Sequence, residues 1–387
     1  MVAVRPLFSS LVLAFALWLG AIAAAFSQAE FETSAPYALL MDHASGTVLY
    51  QRDADALFHP ASMAKLMTVA VVLDMVQSGE LSLDDEFIIS EHAWRTGGAP
   101  STGSTMFAEL GSMVRVEDLL KSVVIQSGND ASIALAEGIA GNEAVFASMM
   151  NEFADRIGME NSNFTNPSGL PNEDMVSTAR DIVTLARYII NEFPEYYPWF
   201  GETSFTWNNI TQSNRNALIG QLGIDGLKTG HLGEAGYGIV VSGQQGDRRL
   251  IGLVHGLETE SSRTEAARQL MTWGTRAFER VAAFADGDVV GEVRVYGGER
   301  SHVAVSGEGP IDLYLPRGSR RCISANIVYQ APISPPVEQG QLLAELNILC
   351  DDRLIQTAPL YAAEFVGQGD LTRRAADALV ELTLGWL

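Results

Sequence analysis

The hydrophobic pattern of this chain changes its period near residue 285. Up to that point short apolar segments alternate with apolar runs of helical length. From 286 to 368 only alternating segments such as EVRVY, HVAV and DLYL remain, separated by Gly and Pro clusters. A period of two puts successive side chains on opposite faces, so the second stretch cannot share the helical architecture of the first. The expectation is an α/β domain with an antiparallel sheet and helices around it, then a smaller all-β domain. A length of 387 residues with 47% hydrophobic content gives each of them a core. The boundaries read as a leader over 1–29, a first domain over 30–284, a β-rich domain over 285–368 and an amphipathic tail over 369–387.

Within the first domain, 37–41 and 47–50 predict strands joined by a turn. SMAKLMTVAVVLDMVQSG predicts a helix that stops at Gly79, and further helix flanks Ser127-Gly128-Asn129. Gly97, Gly98, Pro100 and Gly103 put too many breakers in one place for regular structure. A helix is expected over 179–190. Strands follow around Leu227, over 237–241 and over 250–254, the last two forming a hairpin on QQGD, and a helix over 264–281 closes the region.

The first residues carry one cation, Arg5, an apolar run over 11–26 and the small-residue exit Ser27-Gln28-Ala29, which is the layout of a secretory leader cleaved before Glu30. An uncleaved anchor is the rival reading. Export to an oxidising compartment permits a bridge between Cys322 and Cys350, and two buried thiols fit the sequence as well. A net charge of -22 leaves no basic face for nucleic acid. In the tail, Leu371, Ala375, Ala378, Leu379, Leu382 and Trp386 share one helical face, suited to a membrane interface or to docking on the protein itself.

Lysine usage narrows the chemistry. The chain holds 25 Lys and Arg residues, and only Lys65, Lys121 and Lys228 are lysines. Ser62 and Lys65 are three apart in a helical run, so they share a face. Serine is a weak nucleophile until a neighbour takes its proton, and a lysine of lowered pKa can do so where arginine cannot. Lys228 opens Lys-Thr-Gly at a strand start, where small residues let a ligand backbone pair along the edge. Ser127-Gly128-Asn129 lies between the two. Alone it means little, since Ser324-Ala325-Asn326 repeats the pattern by chance. The order Ser62, Ser127, Lys228 within one domain is the specific signal. Lys121 reads as a surface charge, and turn chemistry accounts for 102–106. No His-Glu-x-x-His and no Gly-x-Ser-x-Gly occurs, so neither a metal or other cofactor nor a Ser-His-Asp triad is expected.

With SGNDAS at 127–132, NRN at 214–216 and KTGHLGEAG at 228–236, nearly the whole exported chain resembles the serine D-alanyl-D-alanine carboxypeptidases, the low-molecular-mass penicillin-binding proteins. The resemblance implies a β-lactamase/transpeptidase-like sandwich, with an antiparallel sheet between helical layers. It implies Ser62 as nucleophile, Lys65 as its base, Ser127 as proton relay and Asn129 as holder of the peptide amide. Lys228, Thr229 and Arg215 would bind the terminal carboxylate, and the backbone N–H groups of Ser62 and His231 would form the oxyanion hole. The implied partners are a peptidoglycan pentapeptide, β-lactams as covalent inhibitors and the outer face of the inner membrane, in a periplasmic setting. A β-lactamase and a non-catalytic β-lactam-binding or wall-binding protein are the alternatives. Class A β-lactamases carry Ser-Asp-Asn where this chain has Ser-Gly-Asn.

Overall fold

The computed structural model describes residues 31–317, 323–350, 353–372 and 374. The leader, Cys322 and most of the tail lie outside the described residues. Strands β1 (Tyr37–Asp42) and β2 (Val48–Arg52) open the first domain and form its hairpin. The helix Lys65–Ser78 follows. It is apolar on nearly all sides because Lys65 through Leu73 are all buried, as expected of a helix inside a core. It ends at Gly79, whose φ of 79° lets the chain turn while the Glu80 N–H caps the Met75 carbonyl.

Two small two-stranded sheets were not legible in the sequence: β3 (Glu86–Ile88) with β4 (Met113–Arg115), and the hairpin of β5 (Ser204–Trp207) with β6 (Ile210–Ser213). The second turns on Asn208 and Asn209, both at positive φ, as a tight two-residue hairpin requires. The principal sheet is completed by β7 (Ile224–Leu232), β8 (Gly236–Gln245) and β9 (Arg248–Leu257), in the order β2-β1-β9-β8-β7, antiparallel throughout. The β8–β9 turn falls on QQGD, where the hairpin was expected.

Alternation along β1 shows how the sheet is layered. Leu39 and Met41 join the core that holds Leu66, Met67 and Ile182, while Leu40 faces the other way, against Gly274 of the helix Glu260–Ala277. The sheet therefore lies between helical layers. Its edge strand β7 carries Lys228 and Thr229, and Gly230 packs beside Pro60 and Met63 next to Ser62.

Three expectations are corrected. The helix expected over 264–281 spans Glu260–Ala277, because Thr259 and Ser262 form a capping box ahead of it. Its last residues instead belong to β10 (Phe278–Phe284), which gains the backbone partners of β13 (Ile311–Pro316). The segment rich in breakers holds the helix Glu91–Gly97, capped when the Ser90 side chain accepts the Ala93 N–H at 2.9 Å, and a short 3-10 turn, Ala99–Ser101. A further helix, Glu143–Arg156, was not anticipated at all, though Asn142 caps it in the usual way.

The C-terminal part is all-β. Strands β11 (Val289–Arg294), β12 (His302–Ser306), β14 (Ile323–Val328), β15 (Leu342–Cys350) and β16 (Arg353–Ala362) make an antiparallel sheet ordered β11-β12-β16-β15-β14. Val293, Val303, Val305, Leu346, Ile348 and Leu360 form its core, every second residue turning inward. Cys350 is disulfide-bonded; the sequence has one other cysteine, Cys322. Ser324-Ala325-Asn326 lies on β14, in this separate sheet.

Candidate active site

Ser62 stands on a 3-10 turn, Ala61–Ala64, that runs directly into the helix Lys65–Ser78. This is tighter than the continuous α-helix expected, but it keeps the two side chains on one side. Lys65 Nζ donates to Ser62 Oγ at 3.0 Å, to Asn129 Oδ1 at 2.7 Å and to the Ser168 carbonyl oxygen. Lys65 is fully buried, and burial pushes its pKa down to about 7, while the negative charge of Asp130 opposes the shift. An amine of that pKa is substantially neutral near pH 7, which an exposed lysine is not.

Asn129 is placed by its position at the start of the helix Asn129–Ala140 and by its N–H, which donates to the Ser104 carbonyl at 2.8 Å. Two residues earlier, Ser127 occupies φ 71°, and its Oγ is buried without a hydrogen-bond partner among the described residues. A strained backbone together with an unsatisfied hydroxyl is costly, and such pairings concentrate at functional sites.

Lys228 is buried on the edge strand, with Nζ donating to the Thr229 carbonyl at 3.3 Å. Its pKa is held well below the usual lysine value, first by burial and then by the charges of Lys65, Arg215 and Arg263. These groups are close enough for their charges to act on Lys228. Arg215 is tied in place by its backbone N–H to the Ile125 carbonyl at 3.1 Å and by Nε to the Gln126 carbonyl at 3.4 Å. His231, by contrast, keeps its ring outside the Lys65 hydrogen-bond group and stacks on Tyr237, with centroids 3.8 Å apart. Thr229 is buried opposite Ile239. Lys121 is ion-paired with Glu117 at 2.8 Å and lies over Trp199.

Three participants escaped the sequence reading. The Ser168 carbonyl is presented by a turn in which Asn166 Oδ1 accepts the N–H groups of Ser168, Gly169 and Leu170 at 3.2, 2.8 and 3.1 Å, and Thr68 Oγ1 fastens the Pro167 carbonyl at 2.6 Å. Asp130 is buried and accepts from Thr105 Oγ1 at 2.6 Å and from the Met106 N–H at 2.9 Å, so it anchors the segment just after 102–104. Arg263, on the helix Glu260–Ala277, acts on Lys228 through its charge, its own pKa lowered by burial. Asn166 follows a recognisable rule, since Asx side chains satisfy local turns, whereas the partners of Asp130 lie 24 and 25 positions back, where no local rule reaches. A backbone carbonyl leaves no such signature.

The arrangement can do acyl-transfer chemistry: a hydroxyl with a partly neutral amine beside it, and a cluster of cations suited to an anionic substrate end. Comparison with known proteins agrees with the class of that chemistry. Residues 23–259 match the D-alanyl-D-alanine carboxypeptidase family, and residues 278–368 match the penicillin-binding protein 5 C-terminal domain. The chain is 37% identical over 343 residues to the D-alanyl-D-alanine carboxypeptidase DacC of Escherichia coli (strain K12), covering 88% of this chain and 86% of that protein. It is also similar to a crystal structure of penicillin binding protein 5 from Haemophilus influenzae, at 34% identity and a TM-score of 0.76, covering 88% of this chain and 99% of that one. For penicillin binding protein 6B from Escherichia coli the values are 32% and 0.68, covering 87% and 97%. With its carboxypeptidase-type sandwich followed by the all-β domain, the chain belongs to the D-alanyl-D-alanine carboxypeptidase family of penicillin-binding proteins.

Proposed function

We propose that this protein hydrolyses the terminal D-Ala-D-Ala bond of peptidoglycan stem pentapeptides through an acyl-enzyme on Ser62, and that β-lactams acylate the same serine. The carrying observation is the 3.0 Å hydrogen bond between Ser62 Oγ and a buried Lys65 whose pKa is pushed down to about 7. In this reading neutral Lys65 takes the Ser62 proton as Oγ attacks the carbonyl between the two D-alanines. The developing oxyanion is held by the backbone N–H groups of Ser62 and His231. Ser127 passes a proton to the departing D-alanine nitrogen, which breaks the peptide bond and leaves an ester on Ser62. Asn129 orients the substrate amide, while Lys228, Thr229 and Arg215 receive the terminal carboxylate. Water then attacks the ester, Lys65 acting again as base, and frees Ser62.

The group that the Asn166-centred turn presents to Lys65 is a carbonyl, whereas class A β-lactamases use a glutamate for deacylation. That supports slow release of a penicilloyl group over rapid turnover. Export, with the tail on the outer face of the inner membrane, completes the reading and rests on the leader and tail sequences.

The test is to label the purified protein with a fluorescent penicillin, map the modified peptide, and measure D-alanine released from a pentapeptide. The adduct is expected on Ser62, with slow loss of label and D-alanine release. Lys65→Arg is expected to fold and to form no adduct, because arginine does not deprotonate. An adduct on another residue, or acylation surviving in Lys65→Arg, would overturn the assignment; fast turnover of the penicillin would favour the β-lactamase alternative.

A further inference from the structure

The turn that delivers Ser62 is held by a side chain with no part in the chemistry above. His59 Nδ1 accepts the backbone N–H of Ala61 at 3.0 Å. Ala61 sits at φ 49°, in the left-handed region that costs a residue with a Cβ about 1–2 kcal/mol. It is the residue immediately before Ser62, so the strain lies one peptide bond from the hydroxyl that Lys65 contacts. Strain of this kind persists only where the surroundings over-determine it.

Two fixings are visible. On the carbonyl side, Gly169 lies so close that a Cβ there would stand 2.0 Å from the Ala61 oxygen and 3.1 Å from the Ser62 nitrogen. On the amide side, among the described residues, the acceptor is the His59 imidazole, which reaches two residues forward as an Asx side chain does in an Asx turn. To accept at Nδ1 the ring must be neutral and carry its proton on Nε2. Burial lowers the His59 pKa and so favours that form. Behind it, His255 is fully buried between Phe58, with ring centroids 4.3 Å apart, and Tyr37, at 6.0 Å.

We propose that His59 is a positioning residue, whose neutral imidazole holds the left-handed turn at Ala61 and thereby aims Ser62 at the scissile carbonyl. The inference rests on the reading of Ser62 as nucleophile. It is a statement about an acceptor at position 59, so a shorter acceptor that can reach the same amide should serve.

The experiment uses the purified full chain and three variants, His59→Ala, His59→Asn and His59→Ala with Ala61→Gly. Penicillin acylation is separated into the dissociation constant of the non-covalent complex and the rate constant of the covalent step. Exchange of the Ala61 amide hydrogen is followed alongside. His59→Ala is expected to slow the covalent step at least tenfold with the dissociation constant unchanged, and to speed Ala61 exchange. His59→Asn is expected to stay within threefold of the parent in both. Glycine adopts a positive φ without a holder, so adding Ala61→Gly is expected to recover part of the lost rate even where His59→Ala lowers stability. A covalent step unchanged in His59→Ala, or His59→Asn as slow as His59→Ala, would overturn the proposal. If the parent forms no adduct at Ser62, the functional reading falls, and Ala61 exchange then decides the turn alone: unchanged exchange in His59→Ala removes His59 as its holder.

Discussion

Gly128 lies against Ser122, so close that a Cβ at position 128 would stand 2.3 Å from Ser122 Oγ. The chain turns there from the helix Val116–Ile125 into the helix Asn129–Ala140, and the Gly128 N–H donates to the Ser122 carbonyl at 3.2 Å. The middle residue of Ser127-Gly128-Asn129 is thus dictated by a neighbour six positions back in the sequence. Gly128→Ala is expected to cost about 1–3 kcal/mol through overpacking. It should also reduce acylation at least tenfold, since Ser127 and Asn129 flank the displaced atom. Adding Ser122→Ala removes the clashing oxygen and is expected to recover most of both losses. Urea midpoints and penicillin acylation rates of the two single variants and the double variant give the coupling. A double variant no better than Gly128→Ala would refute the steric account.

The proton affinity of Lys65 sets a pH dependence of known sign. With a pKa of about 7 and the neutral amine as the competent form, acylation is expected to fall about tenfold per pH unit on the acid side and to level off above neutrality. Asp130 favours the ammonium form, so Asp130→Asn is expected to move the midpoint to lower pH. The amplitude also drops in that variant, because the ties to Thr105 and Met106 loosen, but amplitude and midpoint are separate readings of one profile. Rates from pH 5 to 9 for both proteins decide the matter. A midpoint that stays or rises in Asp130→Asn would contradict the electrostatic account.

Lys228 leads to a different observable. Burial and three neighbouring cations favour its neutral form, and a carboxylate docked beside it favours the charged form. Binding of a carboxylate-bearing ligand is therefore expected to draw a proton from solution at a pH below the ordinary lysine value. In Ser62→Ala, which stops at the non-covalent complex, the binding enthalpy should differ between buffers of different ionisation enthalpy. In Ser62→Ala with Lys228→Gln the difference should disappear. An enthalpy independent of buffer in the first variant would place the carboxylate elsewhere.

Legibility of the site in the sequence followed the kind of atom involved. Ser62 and Lys65 were readable because a spacing of three fixes a shared face whether the turn is α or 3-10. Lys228 was readable because lysine is scarce here, and the hairpin after it because Gly246 at φ 64° marks its turn. The Ser168 carbonyl was not readable, since its role depends on the chain path and not on a side chain. Arg263 acts on Lys228 from 35 positions further along the sequence, on a helix whose periodicity marks only one of its faces. The helix Glu91–Gly97 was hidden by the glycines at its end, where the rule about breakers outweighed the Ser90 cap. Helix Glu260–Ala277 was misplaced at its start because the Thr259 and Ser262 capping box outweighed the apolar pattern, and at its end because Phe278 takes its backbone partner, Pro316, from β13.

His255 makes acid stability a test of the packing beneath Ser62. Burial first, and the charge of His59 second, push its pKa down to about 4, well below the ordinary histidine value. A histidine whose folded-state pKa is depressed binds its proton first in the unfolded chain, so it contributes stability above the unfolded value that is lost as pH falls toward the folded one. The window is therefore about pH 6.5 down to about 4, and the loss across it is roughly 3 kcal/mol for this one group. Carboxylates elsewhere titrate in the same range, so the wild type alone does not isolate it. His255→Leu keeps an apolar side chain against Phe58 and removes the titration. The difference in unfolding free energy between wild type and His255→Leu, taken from urea curves at pH 7 and at pH 4.5, is expected to shift against the wild type on acidification. Equal acid losses in the two proteins would mean that the imidazole gains a hydrogen-bond partner on protonation, and the dry, aromatic environment described for it would then be wrong.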